Sequence, residues 1–210
     1  MHKMLIQFLK NTLYTTLFMS FMISNSQVEY GISTGLNSSR FTNEFRATNG
    51  SYFNTSSIGF KLGVFAEIPL KEKILFSPKL IFNQMGDREK DYGDVEERGL
   101  EISTIDYKLN YISIPLNIRF FNEVYFEVGP QLGILISDNN ESLDLGDVDS
   151  SLDIGVNFEI GYKIRDFRIS LNVYQGFSNI FEIERNPPIV VGELNVRNFA
   201  LSFNVGYMVF

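Results

Sequence analysis

Side chains able to act as nucleophiles, general bases or metal ligands are few in this chain and unevenly placed. The single histidine is His2, and there is no cysteine. Disulfides, thiolate metal sites and Cys–His catalysis are therefore outside its chemistry. Carboxylates remain, and twelve of the 25 gather in two runs. Residues 87–101 hold seven acids against three bases, net −4, and residues 138–149 hold five acids and no base, net −5. The plain reading is a pair of solvated loops. The sharper reading is a site for a divalent cation or a basic protein partner, because carboxylate oxygens suit Ca²⁺. No stretch has the spacing of an EF-hand loop, and no metal or cofactor site is assigned. A second set of charges, Lys61, Glu67, Lys79, Glu127, Glu159 and Arg168, is scattered singly through apolar segments. Such charges read as a structural network of pairs, since buried ions are tolerated only when paired; a proton or ligand path is the alternative.

The elements that would position these groups follow from length and pattern. The 210 residues fit one domain, are 44% hydrophobic and include 20 Phe, and the net charge of −7 argues against nucleic acid as a partner. Lys3 and Lys10, an apolar stretch from Leu13 to Ile23 and then Ser24-Asn25-Ser26 have the layout of a secretory signal. The apolar stretch is about half the roughly 20 residues a spanning helix needs. Cleavage after Ser26 divides the chain into a leader, 1–26, and a domain, 27–210. That removes His2 and two lysines, leaving 16 basic against 25 acidic side chains, net −9. The two acidic runs account for all of it. A domain without His or Cys lacks the commonest general base and the most reactive nucleophile, so no enzyme and no catalytic residues are expected.

Period-two alternation recurs through the domain, the mark of strands with two unlike faces. It is clearest in Ser57–Ile68, Val124–Ile136, Leu152–Lys163 and Phe199–Val209, and readable in Val28–Asn37, Ile74–Met85, Ile102–Arg119 and Phe167–Ser178. In Ile102–Arg119 the phase slips: Ile105, Tyr107, Leu109 and Tyr111 share one parity, and Ile112, Ile114, Leu116 and Ile118 the other. A β-bulge near Tyr111 would do this. The eight strands are joined alternately by tight turns, near Pro69-Leu70-Lys71, Phe120-Phe121-Asn122 and Ile164-Arg165-Asp166, and by long links near 38–56, 86–101, 137–150 and 179–195. The predicted fold is all-β: an eight-stranded antiparallel up-and-down transmembrane β-barrel with short periplasmic turns and long extracellular loops.

Alternation leaves open which face is outside; a soluble lipocalin-like barrel would put the apolar rows inward. Two features favour the membrane. The apolar rows are six or seven residues long and free of charge in the clearest strands, as lipid requires. Ten of the 16 glycines fall in the strands, all on the polar face, with the other six in loops. Glycine there makes room for inward side chains in a narrow eight-stranded lumen. Against the reading stand Pro78, Pro115 and Pro130, each inside a proposed strand, where a closed barrel has no edge to hide a missing donor. They imply either bulges or different strand limits. The alternating last strand, Asn198 to Phe210, ends on an aromatic residue like the signal read by barrel-insertion machinery.

Several segments resemble the PorT-like outer-membrane β-barrel family of the Bacteroidetes. They are Tyr30-Gly31-Ile32-Ser33-Thr34-Gly35-Leu36-Asn37, Ser77-Pro78-Lys79-Leu80 running to Asn83-Gln84-Met85-Gly86, Tyr111-Ile112-Ser113-Ile114-Pro115-Leu116, Glu127-Val128-Gly129-Pro130-Gln131-Leu132-Gly133, Asp153-Ile154-Gly155 and the terminal strand. The resemblance implies that the prolines are family features, and that the barrel sits in the outer membrane of a Gram-negative cell. The family's named member is associated with protein secretion, and no catalytic residues carry over. The expected role is binding, assembly, secretion-accessory or envelope-structural. The expected partners are outer-membrane lipid, the insertion machinery, and a protein at the acidic loops. A narrow diffusion channel or a secreted lipocalin-like binding barrel is the alternative.

Overall fold

A computed structural model describes residues 28–44, 55–91, 103–139, 150–180 and 195–209. Residues 1–26, expected to be a leader, most of both acidic runs and Phe210 lie outside the described residues. Eight antiparallel strands, β1 (Glu29–Glu44), β2 (Thr55–Lys71), β3 (Ile74–Asp91), β4 (Ser103–Phe120), β5 (Val124–Asn139), β6 (Leu152–Ile164), β7 (Phe167–Gly176) and β8 (Asn195–Met208), follow one another around a closed barrel. Closure is made by β1 and β8, paired from Gly31↔Met208 to Glu44↔Asn195. With every strand paired on both sides, the wall has no edge to protect.

The strands run further than the alternation reaches. β1 continues to Glu44, and β3 to Asp91, inside the stretch expected to be an acidic loop. Alternation fades there, although the backbone ladder goes on: Asp91 still pairs with Ser103. The first tight turn is at Glu72–Lys73, beyond Pro69, which lies within β2. The other two are at Phe121–Glu123 and Arg165–Asp166, where Phe121 (φ 69°) and Arg165 (φ 54°) take the left-handed conformation that closes a short hairpin.

The apolar rows face outward. Ile58, Phe60, Leu62 and Val64 on β2, and Leu152 through Ile164 on β6, are exposed, while the alternate residues are buried. The ten strand glycines face the lumen, and Gly86, expected in a loop, lies within β3. A lipocalin-like arrangement would reverse this pattern.

The prolines sit neither at bulges nor at strand ends. The β2–β3 ladder breaks between Phe65↔Lys79 and Ile68↔Phe76, yet Pro78 still pairs with Leu116 on the other side. Likewise β3–β4 breaks beside Pro115, which pairs with Gln131, and β4–β5 breaks beside Pro130, which pairs with Val156. In an antiparallel sheet a residue's N–H and C=O point to the same neighbour, so each proline costs one ladder and spares the other. Register is the same on both sides of every gap, which is why the strands pass straight through.

The phase slip in β4 also has a different cause. Its odd residues from Tyr107 to Arg119 all face inward without interruption. A register shift does occur at Asn110/Tyr111, but the extra residue is Ile136 on β5, since Asn110 pairs with Ser137 and Tyr111 with Leu135. Tyr107, Leu109 and Tyr111 are apolar and inward because that end of the lumen is itself an apolar core.

Candidate functional site

The lumen is filled in three layers. Nearest the short turns is an ionic layer. Glu127 and Glu159 are direct cross-strand partners on β5 and β6, a placement in which two carboxylates repel. Lys79 from β3 reaches across and bridges them, its Nζ 2.7 Å from Glu127 and 2.8 Å from Glu159. Arg168 from β7 contacts Glu127 at 2.5 Å and Glu67 at 2.8 Å, with Glu159 at 3.9 Å. Arg119 from β4 completes the layer with an ion pair to Glu67. Three carboxylates face these three cations, and Lys163 at the rim adds a fourth, 3.5 Å from Glu67. Tyr125 lies beside both guanidinium groups, whose carbons are 3.7 Å (Arg119) and 4.9 Å (Arg168) from its ring centre. Each cation gains from the ring. Gly161 makes that possible: a Cβ there would occupy the space of the Tyr125 ring.

Above it lies an amide layer. Asn37 donates to Asn83 Oδ1 at 2.8 Å and to the Gln84 carbonyl at 2.7 Å, and Asn172 donates to Asn157 and to the Phe158 carbonyl. Lys61 belongs here. Its Nζ donates to Asn172 Oδ1 at 3.3 Å and Ser202 Oγ at 3.4 Å, with no carboxylate in ion-pair range among the described residues. Free space between the ionic and amide layers, beside Lys61, Lys79 and Tyr125, is about 30 Å³, room for about one water.

The third layer, toward the long links, is apolar. Phe41, Met85, Tyr107, Leu109, Tyr111, Tyr174, Ile180, Val196 and Ala200 form one buried cluster. Two carboxylates are set into its wall. Asp153 accepts from Asn198 Nδ2 at 2.8 Å, and Asp87 accepts from the Phe41 backbone N–H at 2.7 Å. The interior of an eight-stranded barrel is just wide enough for side chains to fill in this way.

Of the six charges singled out in the sequence, five meet in the ionic layer and Lys61 stands apart. Arg119, Tyr125 and the rim pair Lys163–Glu29 (2.9 Å) were not anticipated. Arg119 lies on the inward face, opposite in phase to the outward row Ile112–Ile118, and is the cross-strand partner of Glu127, so counting back from the Phe121–Glu123 turn would have found it. Lys163 was visible in the β6 alternation, but at a strand end rather than inside. The difference between Lys61 and Lys79 is testable. Lys61→Met keeps the aliphatic stem and abandons only neutral partners, so it should change unfolding free energy by no more than about 1 kcal/mol. Lys79→Met leaves two facing carboxylates with Arg168 as their one cation and should cost about 3 kcal/mol or more. Urea titration in lipid vesicles measures both.

Among the described residues no three His, Cys, Asp or Glu side chains converge as metal ligands would. No curated protein matches the chain. Several solved barrels are similar to it. Neisserial surface protein A matches at 16% identity and TM-score 0.49, over 86% of this chain and 97% of its own. Ail of Yersinia pestis matches at 17% and 0.44 (87% and 99%), and outer membrane protein W of E. coli at 14% and 0.46 (88% and 100%). The model of the outer membrane protein β-barrel domain family matches residues 19–182. With a closed eight-stranded wall, apolar rows outward and that match over most of its length, the chain belongs to the outer membrane protein β-barrel domain family and is a small integral barrel of the Gram-negative outer membrane.

Proposed function

We propose that this barrel works at its two ends rather than through its lumen: a non-enzymatic protein with a binding, assembly or envelope-structural role. The observation that carries this is the stacked lumen, in which an ionic layer, an amide layer and an apolar cluster succeed one another. A solute would have to break paired charges that cost several kcal/mol to separate, then displace packed aromatic side chains. The absence of His and Cys after residue 26 supports the non-enzymatic part.

The remaining parts of the reading rest on sequence. Residues 1–26 act as a cleaved leader, and the last strand is the segment presented to the insertion machinery. The short turns face the periplasm and the long acidic links the exterior, where they offer a basic protein a docking surface. Kinship with PorT-like barrels, through the segments quoted above, makes a secretion-accessory role the leading specific assignment. A deletion strain with unchanged secreted proteins would exclude that assignment while leaving the closed barrel untouched.

Conductance tests the closed lumen. In planar bilayers the purified protein should show no steady single-channel current, and vesicles carrying it should not swell in small sugars. Stable unitary currents would make it a channel.

A further inference from the structure

Lys61 is buried in the lumen, and its charge has no carboxylate within ion-pair range among the described residues. An ammonium carries three N–H donors. This one meets two neutral oxygens, Asn172 Oδ1 at 3.3 Å and Ser202 Oγ at 3.4 Å, both beyond the usual hydrogen-bond distance. Two long bonds to neutral groups are weak compensation for a desolvated cation.

The nearby acids are engaged elsewhere. Glu159, the one carboxylate bordering the free space beside Lys61, holds Lys79 at 2.8 Å and accepts from the Tyr125 hydroxyl at 3.3 Å. Glu127 is bound by Lys79 and Arg168, and Glu67 by Arg119 and Arg168. The three carboxylates of the ionic layer thus already face as many buried cations. Asp87 and Asp153 belong to the apolar layer, where they accept from the Phe41 N–H and from Asn198.

The free space itself, about 30 Å³, is bordered by Lys61, Lys79 and Arg168 against the single carboxylate of Glu159. Ser170 and Asn157 also line it. Ser170 Oγ accepts from Asn204 at 3.5 Å and Asn157 Oδ1 accepts from Asn172, which leaves a hydroxyl hydrogen and an NH2 group as donors. A space of this volume holds about one water, so it admits a monatomic anion and excludes sulfate, phosphate or a carboxylate. Cations and donors around so small a space select negative charge.

We propose that this space is a binding site for one chloride-sized anion, held by the Lys61 ammonium with the Ser170 hydroxyl and Asn157 amide as further donors. The ion is the counter-charge of Lys61, and it lets the amide layer close over the ionic layer without an unpaired buried cation. The site lies within the lumen, so it is independent of which end faces the exterior. It rests on the closed lumen, which conductance tests separately.

Crystals of the purified protein grown in sodium bromide should show an anomalous bromide peak within hydrogen-bond reach of Lys61 Nζ. Crystals of Lys61→Met should lack it. In lipid vesicles, replacing gluconate, too large to enter, by bromide at constant ionic strength should raise the urea midpoint of the parent. The bromide affinity read from that rise should fall at least about tenfold in Lys61→Met, the loss of one hydrogen bond from a charged donor. Lys163→Gln, which removes a cation at the rim, should bind bromide as the parent does. A peak retained in Lys61→Met, water alone at the position in the parent, or the same midpoint rise in parent and Lys61→Met would each overturn the proposal. Heat-modifiable migration of each variant separates lost binding from lost folding.

Discussion

Arg168→Leu should destabilise the barrel by about 3–5 kcal/mol, the largest effect of any single lumen substitution. Arg168 is the one cation that reaches all three carboxylates of the ionic layer, at 2.8, 2.5 and 3.9 Å. Leucine fills part of the volume but leaves Lys79 as the one cation on Glu127, and leaves Glu67 to Arg119 and, at 3.5 Å, Lys163. Part of the loss should return in Arg168→Leu/Glu127→Gln, because the second change removes the stranded charge; the two residues touch, so their effects should not add. Urea midpoints in lipid vesicles read both. A single variant within about 1 kcal/mol of the parent would mean that the ionic layer is hydrated.

Phe158→Arg should cost about 2–4 kcal/mol, and Leu152→Arg under about 1. Both positions face outward on β6, but Phe158 stands midway along the apolar row and Leu152 at its end. Hydrocarbon penalises a guanidinium by depth, whereas an aqueous exterior would treat the two alike. The same vesicle titration distinguishes the cases, and equal small effects would remove the barrel from the membrane.

How much of this was legible depended on how many constraints bore on a residue. In β6, lipid on one side and a polar lumen on the other force strict alternation from Leu152 to Ile164, and the strand was readable at once. In β4 only the lipid constraint is uniform. Its inward residues pass from apolar Tyr107 and Tyr111 to polar Asn117 and Arg119 as the lumen layers change, and this imitated a bulge. The prolines misled for another reason. Strand rules count a lost donor against both neighbours, and only the finished sheet shows that each loss falls on one ladder. The ionic layer was legible in composition but not in membership. A charge opposite glycine and amides, such as Lys61, looks the same in sequence as one opposite carboxylates, such as Lys79. Which charges meet is settled by the register of strands far apart in the chain.

Single cysteines at adjacent positions of β6 give the most direct test of a barrel that is apolar outside and closed within. The domain after residue 26 has no cysteine of its own, so Asn157→Cys, inward, and Phe158→Cys, outward, each report one face in reconstituted vesicles. Neither variant should react with a water-soluble maleimide until the protein is unfolded. A bimane attached to the Phe158→Cys variant should be quenched by brominated lipid, and one attached to the Asn157→Cys variant should not. Rapid labelling of Asn157→Cys in the folded protein, or lipid quenching in that variant in place of Phe158→Cys, would contradict the closed, outward-apolar barrel.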